Sequence, residues 1–417
     1  MNARWPDAHK IARAHNGGYI EIGRAANFTL RPIPLFRCVG SMPRPGFPSI
    51  ADITAAAFDE NRAAAVLADL HQATETLDDA AAQEALAALW RDQSATTLLS
   101  AIFGNSPFLS RVALSDITYL PRLFGDDPKH TFAALLADLA HGLDGSPDTD
   151  GNRDGNPAAD MNTAMTRLRL ARRRAAILIA LADVGGAWDL QQVTSALSQF
   201  ADAAIGGAVR WLLRDAARRG ELDLAAGPNI EQGSGLVILG MGKLGAYELN
   251  YSSDVDLIAL YDSETAPYMG KRSAQDCFIR LVQALVKMLQ EPTGDGYVLR
   301  TDLRLRPDPG VTPVVVSMRA AEQYYESLGQ NWERAAMIKA RAVAGDLAAG
   351  AAFLERLQPF IWRRNLDFAA IADVHSIMRK IHNHAGEGTA MNVEGHNIKT
   401  GRGGIRDIEF FAQTQQL

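Results

Sequence analysis

The sequence predicts an α+β fold that is predominantly helical and contains one small mixed sheet. Residues 51 to about 225 are rich in alanine and leucine, and their apolar residues recur every three or four positions, which indicates amphipathic helices. After Gly227 the sequence pattern changes to glycine turns and short runs of Val, Ile and Leu, which indicate strands. The predicted strands lie at about 236 to 239, 255 to 261 and 297 to 305. Helical spacing returns at 272 to 290 and again from about 318 onward.

The length of 417 residues exceeds the size at which one hydrophobic core usually stops growing, so we expect several regions. We expect an N-terminal helical region at 1–225, a mixed α/β core at 226–317 and a C-terminal helical region at 318–417. Residues 144–160 interrupt the first region with turn formers and acids. We interpret this acidic segment as a solvated loop.

Composition excludes several classes of protein. A net charge of −6 gives no reason to expect nucleic-acid binding over a whole face, and two cysteines exclude a disulfide framework and a thiolate zinc site. The first residues lack the apolar core of a signal peptide, and no apolar run approaches the roughly 20 residues that span a bilayer. We therefore expect a cytoplasmic protein without nucleic-acid or membrane partners. Because the final segment stops without a helix cap or a trailing glycine, we also expect the chain to be one piece of a longer polypeptide.

A glycine turn follows the first predicted strand and provides Gly240, Gly242, Lys243 and Gly245. Closely spaced glycines let backbone N–H groups approach phosphate oxygens, and a following helix adds partial positive charge. Lys243 either contacts a phosphate or only extends from the helix start. The same glycines fit a dinucleotide-binding turn, but that fold needs a full crossover helix. Only eight residues separate Gly245 from Asp254, which is too few for such a helix.

The next predicted strand carries two acids. Asp254 and Asp256 are two positions apart, so their side chains project from the same side, with Cα atoms roughly 7 Å apart. Two adjacent anions on an otherwise apolar strand need a compensating cation. Ser252 and Ser253 precede them, and their hydroxyls donate to a phosphate, close the turn, or do both. Two acids at this spacing directly after Ser-Ser are hard to explain as caps, which favours a functional role.

A third acid, Asp302, follows in the sequence. Alternation places Arg300, Asp302, Arg304 and Arg306 on one face of the third predicted strand, although a solvated face would give the same pattern. In nucleotidyltransferases of the polymerase-beta type, a turn with glycine and serine leads to a strand with two acids, and a neighbouring strand adds a third. Three such carboxylates would bind two Mg²⁺ ions. Arg304 and Arg306 would neutralise phosphate charge.

A second glycine-rich, basic block begins at Lys399 and precedes a predicted helix. We expect Lys399 and Arg402 to contact phosphate in an element that closes over the nucleotide. The alternative is a helix-capping turn that packs two regions together.

Several blocks of the chain resemble one family. In chain order they are GMGKLG at 240–245, ELN at 248–250, SSDVDLI at 252–258, RTDLRLRPD at 300–308, WERAAMIKAR at 332–341 and KTGRGGIRDIEF at 399–410. They resemble the bifunctional glutamine synthetase adenylyltransferase/adenylyl-removing enzymes of bacteria, most densely from about 235 to 417. The resemblance implies a polymerase-beta-like nucleotidyltransferase core, flanked by helical regions, in which Asp254, Asp256 and Asp302 hold the metal ions.

Enzymes of this family carry two similar halves, and the pattern Asn-x-Ser-Ser-Asp at 250–254 resembles the N-terminal, adenylyl-removing half. The resemblance implies phosphorolysis of an adenylylated tyrosine on glutamine synthetase, in which inorganic phosphate is consumed and ADP is released. It also implies regulation by a PII signalling protein. Three alternatives stay open: an adenylyl-adding half that uses ATP, a nicotinamide-dinucleotide oxidoreductase, and a non-catalytic regulatory module that binds nucleotide.

Overall fold

A computed structural model of the chain describes residues 55–362 and 394–416, apart from short gaps at 126, 145–160, 225–226 and 228. The described residues belong to one compact unit, Arg44–Leu417. The predicted acidic loop lies outside the described residues, except for Asp144 at its start.

The described chain before the sheet is helical, which confirms the prediction from apolar spacing. Its helices are α1 (Glu60–Glu75), α2 (Ala80–Arg91), α3 (Gln93–Asn105), α4 (Pro107–Ser115), α5 (Leu120–Gly125), α6 (Pro128–Leu143), α7 (Met161–Val184) and α8 (Leu190–Arg218), with a 3₁₀ turn at Ile117–Tyr119. A helix leaves its first N–H groups without partners, so polar residues are favoured just before it. Asp79, Asp92 and Asp189 accept such bonds at α2, α3 and α8.

The sheet has five strands: β1 (Leu236–Gly240), β2 (Val255–Tyr261), β3 (Thr301–Asp302), β4 (Val315–Ser317) and β5 (Arg341–Gly345). The strand order is β3-β2-β1-β5, and β4 pairs with a different part of β2. β1 is antiparallel to β2 and β5, whereas β3 and β4 are parallel to β2. The sheet is therefore mixed, as predicted.

Helices also occur among and after the strands. They are α9 (Gly242–Gly245), α10 (Ala274–Gln290), α11 (Met318–Ser327), α12 (Asn331–Met337), α13 (Leu347–Arg356), α14 (Gln358–Ile361) and α15 (Ile405–Gln416). The helix predicted at 272 to 290 is α10, and the first two predicted strands are β1 and β2. In the described part of the chain, no helix combines the length and apolar character needed to cross a bilayer.

Both faces of the sheet are covered, because alternate residues of its central strands join different apolar clusters. Leu257 and Ala259 of β2 pack into the large core that includes residues of α7, α8 and α10. Ile258 and Leu260 pack into a second cluster with residues of α11, α13 and α14. Side chains alternate along a strand, so Asp256 projects on the side of Ile258 and Leu260.

The strand predicted at 297 to 305 is wrong in length, because only Thr301 and Asp302 are extended and paired. A turn follows immediately, in which the backbone N–H of Arg304 donates to Asp302 Oδ1 at 2.8 Å. The region from 318 onward also contains β5, at 341–345, where we expected helix. Pairing with β1 imposes the extended conformation on this short segment.

The buried Arg169 of α7 connects the helical region to the sheet region. Its guanidinium donates to the carbonyls of Met165, Met288, Glu291 and Gly296. Two of these carbonyls, those of Met288 and Glu291, lie at the C-terminal end of α10, where helical carbonyls lose their partners. Arg169 therefore fixes the end of α10 that leads toward β3.

Candidate active site

The predicted acids meet at one end of β2. Asp254 directly precedes β2, and Asp256 is its second residue. β3 runs parallel to β2 with Asp256 in register with Asp302. Neighbouring strands lie about 4.8 Å apart, so these two residues are adjacent on the sheet. The structure thus brings Asp302 next to the acid pair from which 45 residues or more separate it in the sequence.

The environment of Asp256 is that of a partly buried anion among other anions. Burial raises the pKa of Asp256, and the charges of Asp302 and Asp254 raise it further, whereas Arg304 and Lys399 lower it. None of the described residues donates a hydrogen bond to this carboxylate. Asp256 is therefore the acid of the three with the greatest need for a cation.

Arg300 organises the turn before β2. Its Nε donates to Asp254 Oδ1 at 2.5 Å, and its terminal nitrogens donate to the carbonyl and the hydroxyl of Ser252. Ser252 has a left-handed φ of 58°, and the Ser253 hydroxyl donates to Asn250 Oδ1. The two serines close the turn in this structure, and their contact with phosphate stays a prediction.

The two downstream arginines have different partners. The Arg304 side chain folds back onto Asp302, with Nε at 2.8 Å from Oδ2, and this hydrogen bond holds the pKa of Asp302 below its usual range. Arg306 donates instead to the carbonyls of Leu303, Pro309 and Thr312 and so closes the loop after β3. The structure therefore places Arg304 at the carboxylates, whereas Arg306 is engaged by its own loop.

The glycine turn fits tightly against its surroundings. Gly242 has a φ of +52°, and a Cβ on it would lie 3.4 Å from Asp256 Oδ2, so the turn backbone passes beside that carboxylate. A Cβ on Gly245 would lie 1.7 Å from the carbonyl oxygen of Lys339, and one on Gly240 would lie 2.7 Å from the Val343 side chain. Lys243 is half-buried in α9. These glycines are needed for close packing around the acid pair.

The glycine turn does not form a dinucleotide-binding unit. α9 has four residues, and the strands on its two sides, β1 and β2, are antiparallel. The dinucleotide unit requires parallel strands joined by a full crossover helix. The geometry therefore argues against the nicotinamide-dependent alternative.

The second basic block approaches the same acids. Lys399 lies close enough to Asp256 for its charge to lower the pKa of that carboxyl. The Arg402 carbonyl lies 3.2 Å from His396 Nε2 in the turn before α15. The structure thus places Lys399 on the carboxylate side, and contact of Lys399 or Arg402 with phosphate stays a prediction.

Sequence reasoning missed three groups that support the site. Lys339 contacts Glu248 at 2.6 Å and Glu409 at 3.3 Å, so it joins the segment after α9 to α15. Tyr251 donates to Asp183 Oδ2 at 2.9 Å and thereby ties the serine turn to α7. Arg341 pairs with Asp202 of α8 at 2.9 Å and stacks on the Tyr247 ring, with 3.9 Å between guanidinium carbon and ring centroid. These contacts join segments distant in sequence, so no local pattern could reveal them.

The three acids are side by side but do not yet face a common point. Among the described residues, no three His, Cys, Asp or Glu side chains are already gathered as a metal site. The reason is visible: Asp254 is turned toward Arg300 and Asp302 toward Arg304. The donors nevertheless suit Mg²⁺, because all three are carboxylates: Asp302 is in register with Asp256, and Asp254 is two residues before Asp256. Arg304 is 85% exposed, so its side chain can leave Asp302 without disturbing packing.

Comparison with known proteins identifies the family. A family model described as glutamate-ammonia ligase adenylyltransferase matches residues 96–356, which include all three acids. The chain belongs to this family. A second model, described as GlnD PII-uridylyltransferase, matches residues 375–417, and part of that range lies outside the described residues.

Curated relatives agree with this assignment. The chain is similar to proteins named bifunctional glutamine synthetase adenylyltransferase/adenylyl-removing enzyme. The one from Xanthobacter autotrophicus is 49% identical over 348 residues, which are 84% of this chain and 34% of the relative. Those from Caulobacter vibrioides and Brucella suis are 48% and 47% identical, over 83% and 86% of this chain and 34% and 35% of the relatives. The chain thus spans about a third of the length of these relatives.

Proposed function

We propose that this chain is the adenylyl-removing half of a bifunctional enzyme and acts in the cytoplasm on adenylylated glutamine synthetase. Its reaction would be phosphorolysis, in which inorganic phosphate takes the adenylyl group from a tyrosine and leaves as ADP. The observation that carries the proposal is the register pairing of Asp256 with Asp302 beside Asp254. A nucleotidyltransferase needs such converging carboxylates, and the family assignment supports this class of chemistry.

The proposed reaction forms one bond to phosphorus and breaks one. A phosphate oxygen forms a bond to the α-phosphorus, and the bond from that phosphorus to the tyrosine oxygen breaks. The tyrosine leaves as a phenolate and takes a proton from water, and the other product is ADP. Because the ordinary pKa of tyrosine is about 10, electrostatic stabilisation of the leaving oxygen matters more than strong acid catalysis.

The three aspartates and Arg304 would have different roles in this reaction. Asp254, Asp256 and Asp302 would hold Mg²⁺ through their carboxylate oxygens. Bound Mg²⁺ would stabilise the entering and leaving oxygens together. The exposed Arg304, once released from Asp302, would contact phosphate oxygens.

The proposed direction of transfer rests on the resemblance of residues 250–254 to the adenylyl-removing half. The relatives' names cover both directions, so an assay must separate them. We expect ADP when the protein is mixed with adenylylated glutamine synthetase, Mg²⁺ and phosphate, and no ADP when phosphate is omitted. Formation of AMP without phosphate would indicate hydrolysis and would contradict phosphorolysis.

The adenylyl-adding alternative predicts a different result. It would consume ATP and label unmodified glutamine synthetase, whereas the proposed enzyme would leave that protein unlabelled. A non-catalytic module would bind nucleotide and yield neither product. In the full-length protein we expect a PII signalling protein to regulate the activity, a proposal that the match to a PII-uridylyltransferase model supports. A change in ADP release when a PII protein is added would test this regulation.

A further inference from the structure

Five arginines lie on one stretch of α7, and four of them have a described acceptor. These four are Arg167, Arg169, Arg173 and Arg174, and their acceptors are carbonyl groups, Asp295 and Asp116. Arg172 differs from them. Within the described residues it has no carboxylate or carbonyl partner, and its guanidinium carbon lies 5.9 Å from the centroid of the Phe108 ring. Partial burial of a guanidinium without an anionic partner costs free energy, so an anion bound beside Arg172 would be favourable.

Arg172 lines a small pocket beneath the serine turn that leads to Asp254. The pocket has a volume of about 30 Å³, more than the roughly 10–15 Å³ that one water molecule requires, so it suits a species of a few heavy atoms. Its other polar lining residues are Asn250, Ser252, Ser253, Tyr297 and Arg300. None of the lining residues in the described chain is Asp or Glu. We call this cavity the turn pocket.

Two guanidinium groups, those of Arg172 and Arg300, line the turn pocket. Arg300 donates to the Tyr297 hydroxyl at 3.2 Å, and the same tyrosine is the charge neighbour of Arg172. Burial lowers the pKa of Arg172, yet an arginine stays protonated at any pH at which the protein is folded. Asp254, which does not line the pocket, pairs with Arg300, so no carboxylate of the lining compensates the charge of Arg172.

We propose that the turn pocket binds a small tetrahedral oxyanion and that its ligand is inorganic phosphate. Guanidinium groups present planar forks of N–H donors that match phosphate oxygens, and serine hydroxyls add further donors. The apolar floor, which includes Leu197 and Phe200, strengthens such bonds by excluding water. Phosphate held there lies directly behind the turn that carries Asp254. Its role as the reactant rests on the proposed phosphorolysis, whereas its binding does not.

Calorimetric titration of the full chain with inorganic phosphate tests the binding. The titration is carried out in EDTA and without nucleotide, so that binding at the three aspartates through a metal ion does not contribute. We expect one site in the wild type and a loss of affinity of about tenfold or more in Arg172→Gln, the effect of removing a charged hydrogen bond. Arg172→Lys keeps the charge but loses the planar fork, so its affinity should lie between the two.

Arg173→Gln is the matched control, because it removes the same charge from the adjacent position. Arg173 pairs with Asp295 at 3.3 Å and does not line the turn pocket, so phosphate affinity should stay within about twofold of the wild type. Equal phosphate affinity in the wild type and in Arg172→Gln, with both proteins folded by circular dichroism, would overturn the proposal.

Two further titrations identify the source of the oxyanion. Sulfate should compete with phosphate, because it has the same shape and a similar set of acceptors. ADP should bind Arg172→Gln as well as it binds the wild type. If ADP binding weakens as much as phosphate binding does, the pocket takes a nucleotide phosphate and its assignment to free phosphate is wrong.

Kinetic measurements of phosphorolysis can test the turn pocket and the proposed function separately. In phosphorolysis, Arg172→Gln should raise the KM for phosphate by about tenfold and leave the KM for adenylylated glutamine synthetase unchanged. A wild type that binds phosphate through Arg172 but releases no ADP would refute the phosphorolysis and keep the pocket. A wild type that releases ADP with the same KM for phosphate as Arg172→Gln would keep the phosphorolysis and refute the pocket.

Discussion

Replacement of Asp256 by Asn should stabilise the protein while it abolishes activity. The amide has the shape of the carboxylate, and no described residue donates a hydrogen bond to Asp256 that the change would remove. What disappears is repulsion by Asp302, in register on the next strand, and by Asp254. Two charges about 5 Å apart repel by about 0.8 kcal/mol in water and about 3 kcal/mol at an effective dielectric constant near 20. Because Arg304, Lys399 and solvent offset part of this, we expect a gain of about 1 kcal/mol.

Urea unfolding of the two proteins in EDTA measures the gain. Since the pKa of Asp256 is raised in the folded protein, its charge costs stability as pH rises through that value. The two stabilities should therefore agree below the unfolded pKa, near 3.8, and diverge toward neutral pH. Asp69→Asn, an exposed position in the middle of α1, is the matched control and should change neither stability nor ADP release. A less stable Asp256→Asn protein, or one with substantial ADP release, would refute this account.

Three other changes probe the packing of the site. Gly245→Ala should cost at least about 3 kcal/mol in urea unfolding, since its Cβ would overlap the Lys339 carbonyl, whereas Gly294→Ala, with open space around it, should be nearly neutral. Arg169→Ala should cost about 3–5 kcal/mol in the same assay, because it removes four hydrogen bonds and leaves the carbonyls of Met288 and Glu291 without a described donor. An unchanged midpoint would contradict that role. Burial raises the pKa of Cys277 to about 11, so only about 0.1% is thiolate at pH 8 and iodoacetamide should leave it unmodified in peptide mapping of the native protein.

Elements with a local sequence pattern could be predicted from the sequence alone. Apolar spacing predicted the described helices between 60 and 218, and the strands β1 and β2 follow from short apolar runs after glycine turns. Alternation also placed Asp254 and Asp256 on one side of β2. These features depend on neighbours a few residues away, which periodicity records directly.

The features that sequence analysis missed depend on tertiary contacts. Alternation of charges suggested a long third strand, but Asp302 accepts a bond from the backbone of Arg304 and ends the strand there. The short strand is also fixed by Gln290 of α10. Its Oε1 accepts hydrogen bonds from the backbone N–H and from the hydroxyl of Thr301. β5 has alanines where β-branched residues would signal a strand, and its conformation comes from pairing with β1.

The position of Arg169 sets a limit on how far the protein can be shortened. Its bonds to the end of α10, together with the Tyr251–Asp183 contact, mean that α7 supports both segments that carry the acids. A fragment that starts at residue 226 would retain every acid of the trio and lose the groups that align them. We expect such a truncation to lose fixed aromatic packing, which near-ultraviolet circular dichroism would reveal. A minimal catalytic fragment must therefore begin upstream of α7.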